Sequence, residues 1–158
     1  MTEPVPPRVR INFLPGVKQG WHGPSEADLE AAAQAALRAG DEGHAEGAEL
    51  SVTLLPAEAM RALNRDYHGV DDVTDVLAFR LGEDPLLGDI YICPAIAEVS
   101  AGELGLDPGE EILRLVIHGV LHLLGHDHPD DEARYASPMF ELQERLLARL
   151  LAEFRGRA

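Results

Sequence analysis

The chain contains seven histidines, and four of them crowd into one short window, His118-Gly119-Val120-Leu121-His122-Leu123-Leu124-Gly125-His126-Asp127-His128. His118 and His122 are four residues apart, so on a helix they project from one face, about one turn from each other. Two imidazoles placed in this way can meet a single ion at about 2.0–2.1 Å each. His128 needs a different device, because on a continuing helix it would lie about 9 Å further along the axis and point elsewhere. Gly125 supplies it: a glycine takes the left-handed conformation that ends a helix and turns the chain back toward the metal. Three histidines leave a fourth position for water, the arrangement of a catalytic rather than a structural zinc site. Asp127 is placed to orient a ligand or the metal's water, or to cap its own turn. His126 falls on the rim.

The pattern His-x3-His-x2-Gly-x2-His resembles the metzincin protease signature, with one omission. Gly119 stands where those proteases carry the glutamate that acts as general base. A zinc peptidase reading therefore lacks its base. A metal held here could still lower the pKa of a bound water and act as a Lewis acid on an oxygen.

The rest of the composition narrows the field. A length of 158 residues suits one domain, 1–158, with 1–7 read as a flexible tail. Cys93 is the sole cysteine, so neither an intramolecular disulfide nor a multi-thiolate metal site is possible. It sits in the run Asp89-Ile90-Tyr91-Ile92-Cys93 and reads as a small buried side chain. The formal charge of −15 argues against a protein that coats nucleic acid broadly, while leaving room for a local arginine patch. Met1 to Pro7 lacks the pattern of a secretory signal and no stretch is long and apolar enough to span a membrane, so a cytoplasmic location is expected.

Elements that could position the histidines follow from periodicity and punctuation. Val9–Leu14, Glu49–Leu55, Asp75–Phe79 and Gly88–Ile92 read as strands, the last two joined by a loop at Gly82–Pro85. Helices are expected from Ser25 to Arg38 and from Pro56 to about Gly69, with a polar loop at Gly40–Gly47. Beyond Pro94 the pattern is helical, with Pro108 opening the histidine helix. Ser137-Pro138 starts a last helix that buries Leu142, Leu146, Leu147 and Leu150. The expected fold is α+β, a short mixed four-stranded sheet covered by about five helices.

The segment His118–His128 resembles the signature of the YbeY family of bacterial metal-dependent endoribonucleases. Leu63-Asn64-Arg65-Asp66-Tyr67-His68-Gly69 followed by Thr74-Asp75-Val76-Leu77-Ala78-Phe79 resembles the family's central block, and Leu87-Gly88-Asp89-Ile90-Tyr91-Ile92 its next strand. The likeness runs from about residue 50 to about residue 150. It implies one zinc ion on His118, His122 and His128, and hydrolysis of phosphodiester bonds in single-stranded RNA by a zinc-bound water or with help to the ribose 2′-hydroxyl. It also implies work on the 3′ end of small-subunit ribosomal RNA and in ribosome quality control, with ribosomal subunits or ribosomal proteins as partners. Two departures stand out. Many members have an arginine thought to engage phosphate where this chain has His68, and tyrosine is usual where it has His126. Phosphate contacts are accordingly assigned among His68, Arg65, Arg80 and Arg114. The competing readings are a ribosome assembly factor with a structural zinc and a peptidase without its glutamate. Met139 reads as a core residue, Asp75 and Asp89 as strand-end or cleft-shaping groups, and Trp21 and His22 receive no role.

Overall fold

The computed structural model describes residues 3–39 and 45–157. Strands β1 (Arg8–Phe13), β2 (Glu49–Leu54), β3 (Val76–Glu83) and β4 (Leu86–Ile92) form one sheet in the order β1-β2-β4-β3. The first three neighbours in that order run parallel, and β3 pairs antiparallel with β4 at one edge. The helices are α1 (Glu26–Ala39), α2 (Ala57–His68), α3 (Pro94–Leu104), α4 (Pro108–Leu123) and α5 (Pro138–Arg155), with a short 3-10 turn at Glu132–Ala136. Among the described residues the chain forms the expected α+β architecture, a mixed four-stranded sheet with five helices.

The hairpin differs in detail from expectation. Gly82 lies inside β3 rather than in a loop, beside a bulge where the register steps from Arg80↔Gly88 to Gly82↔Leu87. A bulge absorbs one extra residue without ending the ladder, so both strands run on to a turn at Asp84 and Pro85. The stretch from Leu124 to Asp131 is not helical, although the residues beyond Pro94 read as helical from sequence. Val5 and Pro7 offer carbonyls to Gly47 N–H and to the Gln34 amide, which ties part of the expected tail to the body. The polar loop expected at Gly40–Gly47 lies mostly outside the described residues.

Helix α4 organises the core. Its N-terminus is set by Asp107, whose carboxylate accepts from Glu110 N–H, and by Pro108 in the first turn. Ile112, Leu113, Leu115, Val116, Ile117, Val120, Leu121 and Leu123 are all buried. They span nearly the whole circumference, as befits a helix packed on several sides. The sheet lies on one side, with α1, α3 and α5 on the others. Two glycines let it come close. A Cβ on Gly119 would sit 2.9 Å from Ile90 Cγ2, and one on Gly88 would sit 2.6 Å from Leu123 Cδ1. Only a narrow strip of α4 is left uncovered by the core, and His118 and His122 occupy it.

Candidate metal centre

The end of α4 delivers the third histidine. Gly125 has φ +97°, and its N–H donates to the His122 carbonyl at 3.0 Å. His126 N–H donates to the Leu121 carbonyl, also at 3.0 Å, completing the paired bonds of a Schellman cap. Arg80, reaching from β3, donates to the Leu123 carbonyl and secures the same helix end. Asp127 then accepts the backbone N–H of His128 at 2.8 Å. The chain has now reversed, and His128 faces the two helical histidines.

The three imidazoles meet through their Nε2 atoms. His122 Nε2 lies 3.0 Å from His118 Nε2 and 3.3 Å from His128 Nε2. Nitrogens on a tetrahedral ion with bonds of about 2.0–2.1 Å stand about 3.4 Å apart, so the spacing is close to that of a chelate. The other ring nitrogens explain why Nε2 is the free one. His118 Nδ1 is 2.7 Å from Gln143 Oε1, His122 Nδ1 is 3.1 Å from the His126 carbonyl, and His128 Nδ1 is 2.9 Å from the Pro129 carbonyl. A carbonyl oxygen can only accept, so each Nδ1 carries the proton and each Nε2 points a lone pair at one centre. Three converging lone pairs repel unless a cation lies between them, and the donor set fits a divalent transition metal. Burial pushes the His118 pKa down to about 4 against the opposing effect of its hydrogen bond to Gln143, and burial also lowers His122. Both are neutral at pH 7, as ligands must be.

Gln143 went unnoticed in the sequence. It is 4% exposed, and its amide N–H donates to Glu144 at 3.1 Å while its oxygen accepts from His118 Nδ1–H. The available signal was a polar residue in register with the apolar positions of α5: Met139, Gln143, Leu146, Leu147 and Leu150 are the buried set.

Beside His118 and His128 opens a cavity of about 640 Å³. Val76, Leu104, Leu106, Met139 and Phe140 supply its apolar wall, and Asp75, Glu111, Arg114, Arg134 and Glu144 its charges. Met139 thus serves the core and the cavity at once. Arg114 is held fast: it donates to Glu144 at 2.8 and 3.1 Å and to Glu111 at 2.6 Å, with its side chain 16% exposed. Burial opposes its charge, but the two carboxylates together hold its pKa up. Burial likewise raises Glu111 against the pull of Arg114. A larger hollow of about 720 Å³ lies away from the histidines, among Val17, Trp21, Pro24, Pro94 and Pro108. The convergent imidazoles, rather than volume, mark the smaller one as the site.

Of the other residues singled out from sequence, Asp75, Arg114 and Met139 line this smaller cavity, and His68, Arg65, Asp89 and Cys93 do not. His68 ends α2 and stacks on Phe79, with ring centroids 5.6 Å apart. Phe79 pairs with Asp89, on the sheet face away from α4. Arg65 is exposed and pairs with Asp66 at 3.3 Å. Asp89 accepts from Ser51 Oγ at 2.6 Å on that same outer face, and Asp75 lines the cavity. Cys93 is fully buried, and burial raises its thiol pKa.

Fold and site together define the class: an α+β protein whose central helix and its terminal reversal bring together three histidines that could hold one metal ion. Residues 18–151 match the family described as Endoribonuclease YbeY, and the chain belongs to that family. It is 43% identical over 110 residues to the Endoribonuclease YbeY of Sulfurihydrogenibium sp. (strain YO3AOP1), covering 66% of this chain and 72% of that one. The Endoribonuclease YbeY of Chromohalobacter salexigens is 43% identical over 130 residues, covering 79% of this chain and 82% of its own. A solution structure of a Thermotoga maritima protein aligns with a TM-score of 0.62 at 29% identity, over 94% of this chain and 93% of that one.

Proposed function

We propose that this chain is a zinc-dependent endoribonuclease, specific for single strands, that matures ribosomal RNA in the cytoplasm. The convergence of three Nε2 lone pairs, each fixed by a carbonyl on the opposite ring nitrogen, carries the proposal. His118, His122 and His128 hold the metal, and Gln143 and the reversed loop fix how the rings face. A zinc ion bound there supplies a water of near-neutral pKa and Lewis acidity toward a phosphoryl oxygen. Arg114, engaged by two carboxylates, shapes the cavity wall and leaves little of its donor fork for substrate. Asp127 acts through the backbone of His128. The formal charge of −15 suits docking on basic ribosomal proteins and makes substrate attraction a local matter.

The peptidase reading lacks its general base, and the packing explains why. Gly119 is buried against Ile90, so a glutamate side chain there has no space. No helix among the described residues is long and apolar enough to cross a membrane.

The test is cleavage of a single-stranded RNA oligonucleotide and of its duplex form by the zinc-loaded protein, before and after chelation. The expected result is cleavage at least about tenfold faster on the single strand, abolished by chelator and restored by zinc. Cleavage indifferent to chelator contradicts the proposal. Unfolding on chelation without any nuclease activity points instead to an assembly factor with a structural metal.

A further inference from the structure

The cavity beside the histidines has a charge problem that one residue solves. Asp75, Glu111 and Glu144 line it, and Arg114 is shared between the last two. These fixed groups leave the wall negative, which is unfavourable for a phosphodiester. Arg134 is the remaining cation on the lining, and among the described residues it has no carboxylate partner.

The turn that carries Arg134 is built to hold it still. Asp131 accepts from Ala133 N–H at 2.9 Å at the start of the 3-10 turn. Ser137 Oγ donates to the Arg134 carbonyl at 2.6 Å at its end, and accepts from Phe140 N–H to begin α5. The guanidinium lies over the Tyr135 ring, 4.9 Å from its centroid, and Nη2 donates to the Tyr135 hydroxyl at 2.8 Å. Tyr135 in turn meets Phe140 edge-on at 5.4 Å. A guanidinium has five N–H donors, and this one spends a single donor on Tyr135. Arg114 has three of its donors on carboxylates.

We infer that Arg134 is the residue that binds RNA phosphate in the cleft, with Tyr135 as the positioning residue that aims it. The inference rests on the endoribonuclease reading above and moves the phosphate contact away from His68, Arg65 and Arg114. A planar cation on the same cavity wall as His118 and His128 can engage a phosphate through two parallel N–H bonds. The Tyr135 ring, 53% exposed at the rim, offers a flanking base a stacking surface that only an unpaired strand can use.

The experiment compares wild type with Arg134→Ala, Arg134→Lys and Tyr135→Ala. It reads cleavage kinetics of a single-stranded RNA oligonucleotide by the zinc-loaded chains and binding of the same RNA to the metal-free chains over a range of salt. Arg134→Ala is expected to raise KM and weaken metal-free binding by about 10- to 100-fold, and to flatten the salt slope by about 0.7. Arg134→Lys should recover part of the binding, and Tyr135→Ala should fall between the two. Zinc content should stay at the wild-type level in all three. If Arg134→Ala binds and cleaves as wild type does, with the same salt slope, this inference is wrong and the endoribonuclease reading stands. If the zinc-loaded wild type neither binds nor cleaves RNA, both fall together.

Discussion

Replacing His122 with alanine is expected to lower RNA cleavage by at least about 10³-fold, a loss of about 4 kcal/mol in transition-state stabilisation. His122 is the hub of the centre, because its Nε2 lies within 3.3 Å of both other Nε2 atoms. Without it His118 and His128 form a two-point chelate, and metal affinity should drop by more than about 100-fold, beyond the range known for losing an outer partner. The fold should survive, since the imidazole occupies the uncovered strip of α4 and the Schellman cap uses only the His122 backbone. Circular dichroism beside a single-turnover cleavage assay separates the two effects. Full activity in a folded His122→Ala protein would contradict the metal-centred reading.

Gly119→Glu is expected to destabilise the protein by more than about 4 kcal/mol rather than to create a peptidase. A Cβ alone would press on Ile90 Cγ2 at 2.9 Å, with two more Ile90 atoms at 3.3 Å. Overpacking of that kind costs about 1–3 kcal/mol. The helix propensity gained on replacing glycine, about 1 kcal/mol, offsets part of it. A carboxyl group forced between α4 and β4 adds the cost of a buried polar group without a partner. At about 2–4 °C per kcal/mol for a chain of this size, Tm should fall by roughly 10 °C or more. Gly119→Ala should show a smaller loss. A Gly119→Glu protein as stable as wild type would mean that α4 does not pack on Ile90 in this way.

These two residues also show what was legible in the sequence. The convergence of the three histidines was legible because each rests on local geometry: helical spacing for His118 and His122, and a glycine-driven reversal for His128. The absence of glutamate at Gly119 was visible, but its cause was not, since Ile90 is distant in sequence and meets α4 only through the sheet. Gln143 was hidden for the same reason: its partner His118 lies on another helix. The phosphate-contact candidates rest on residue type and sequence block, and neither carries information on pairing. Arg114 was taken up by Glu111 and Glu144, Arg80 by the end of α4, and His68 by Phe79 on the opposite sheet face. Strand order was likewise beyond local pattern, whereas the element types and the cap at Ser137 followed from periodicity and punctuation.

The central claim is that His118, His122 and His128 hold one metal ion between them. Its most direct measurement is zinc stoichiometry by elemental analysis, on wild type reconstituted with zinc and desalted, beside the single alanine variants at the three histidines. The account predicts one zinc per wild-type chain and near-zero retention in each variant. One zinc per chain persisting in the variants, or none in the reconstituted wild type, would contradict it.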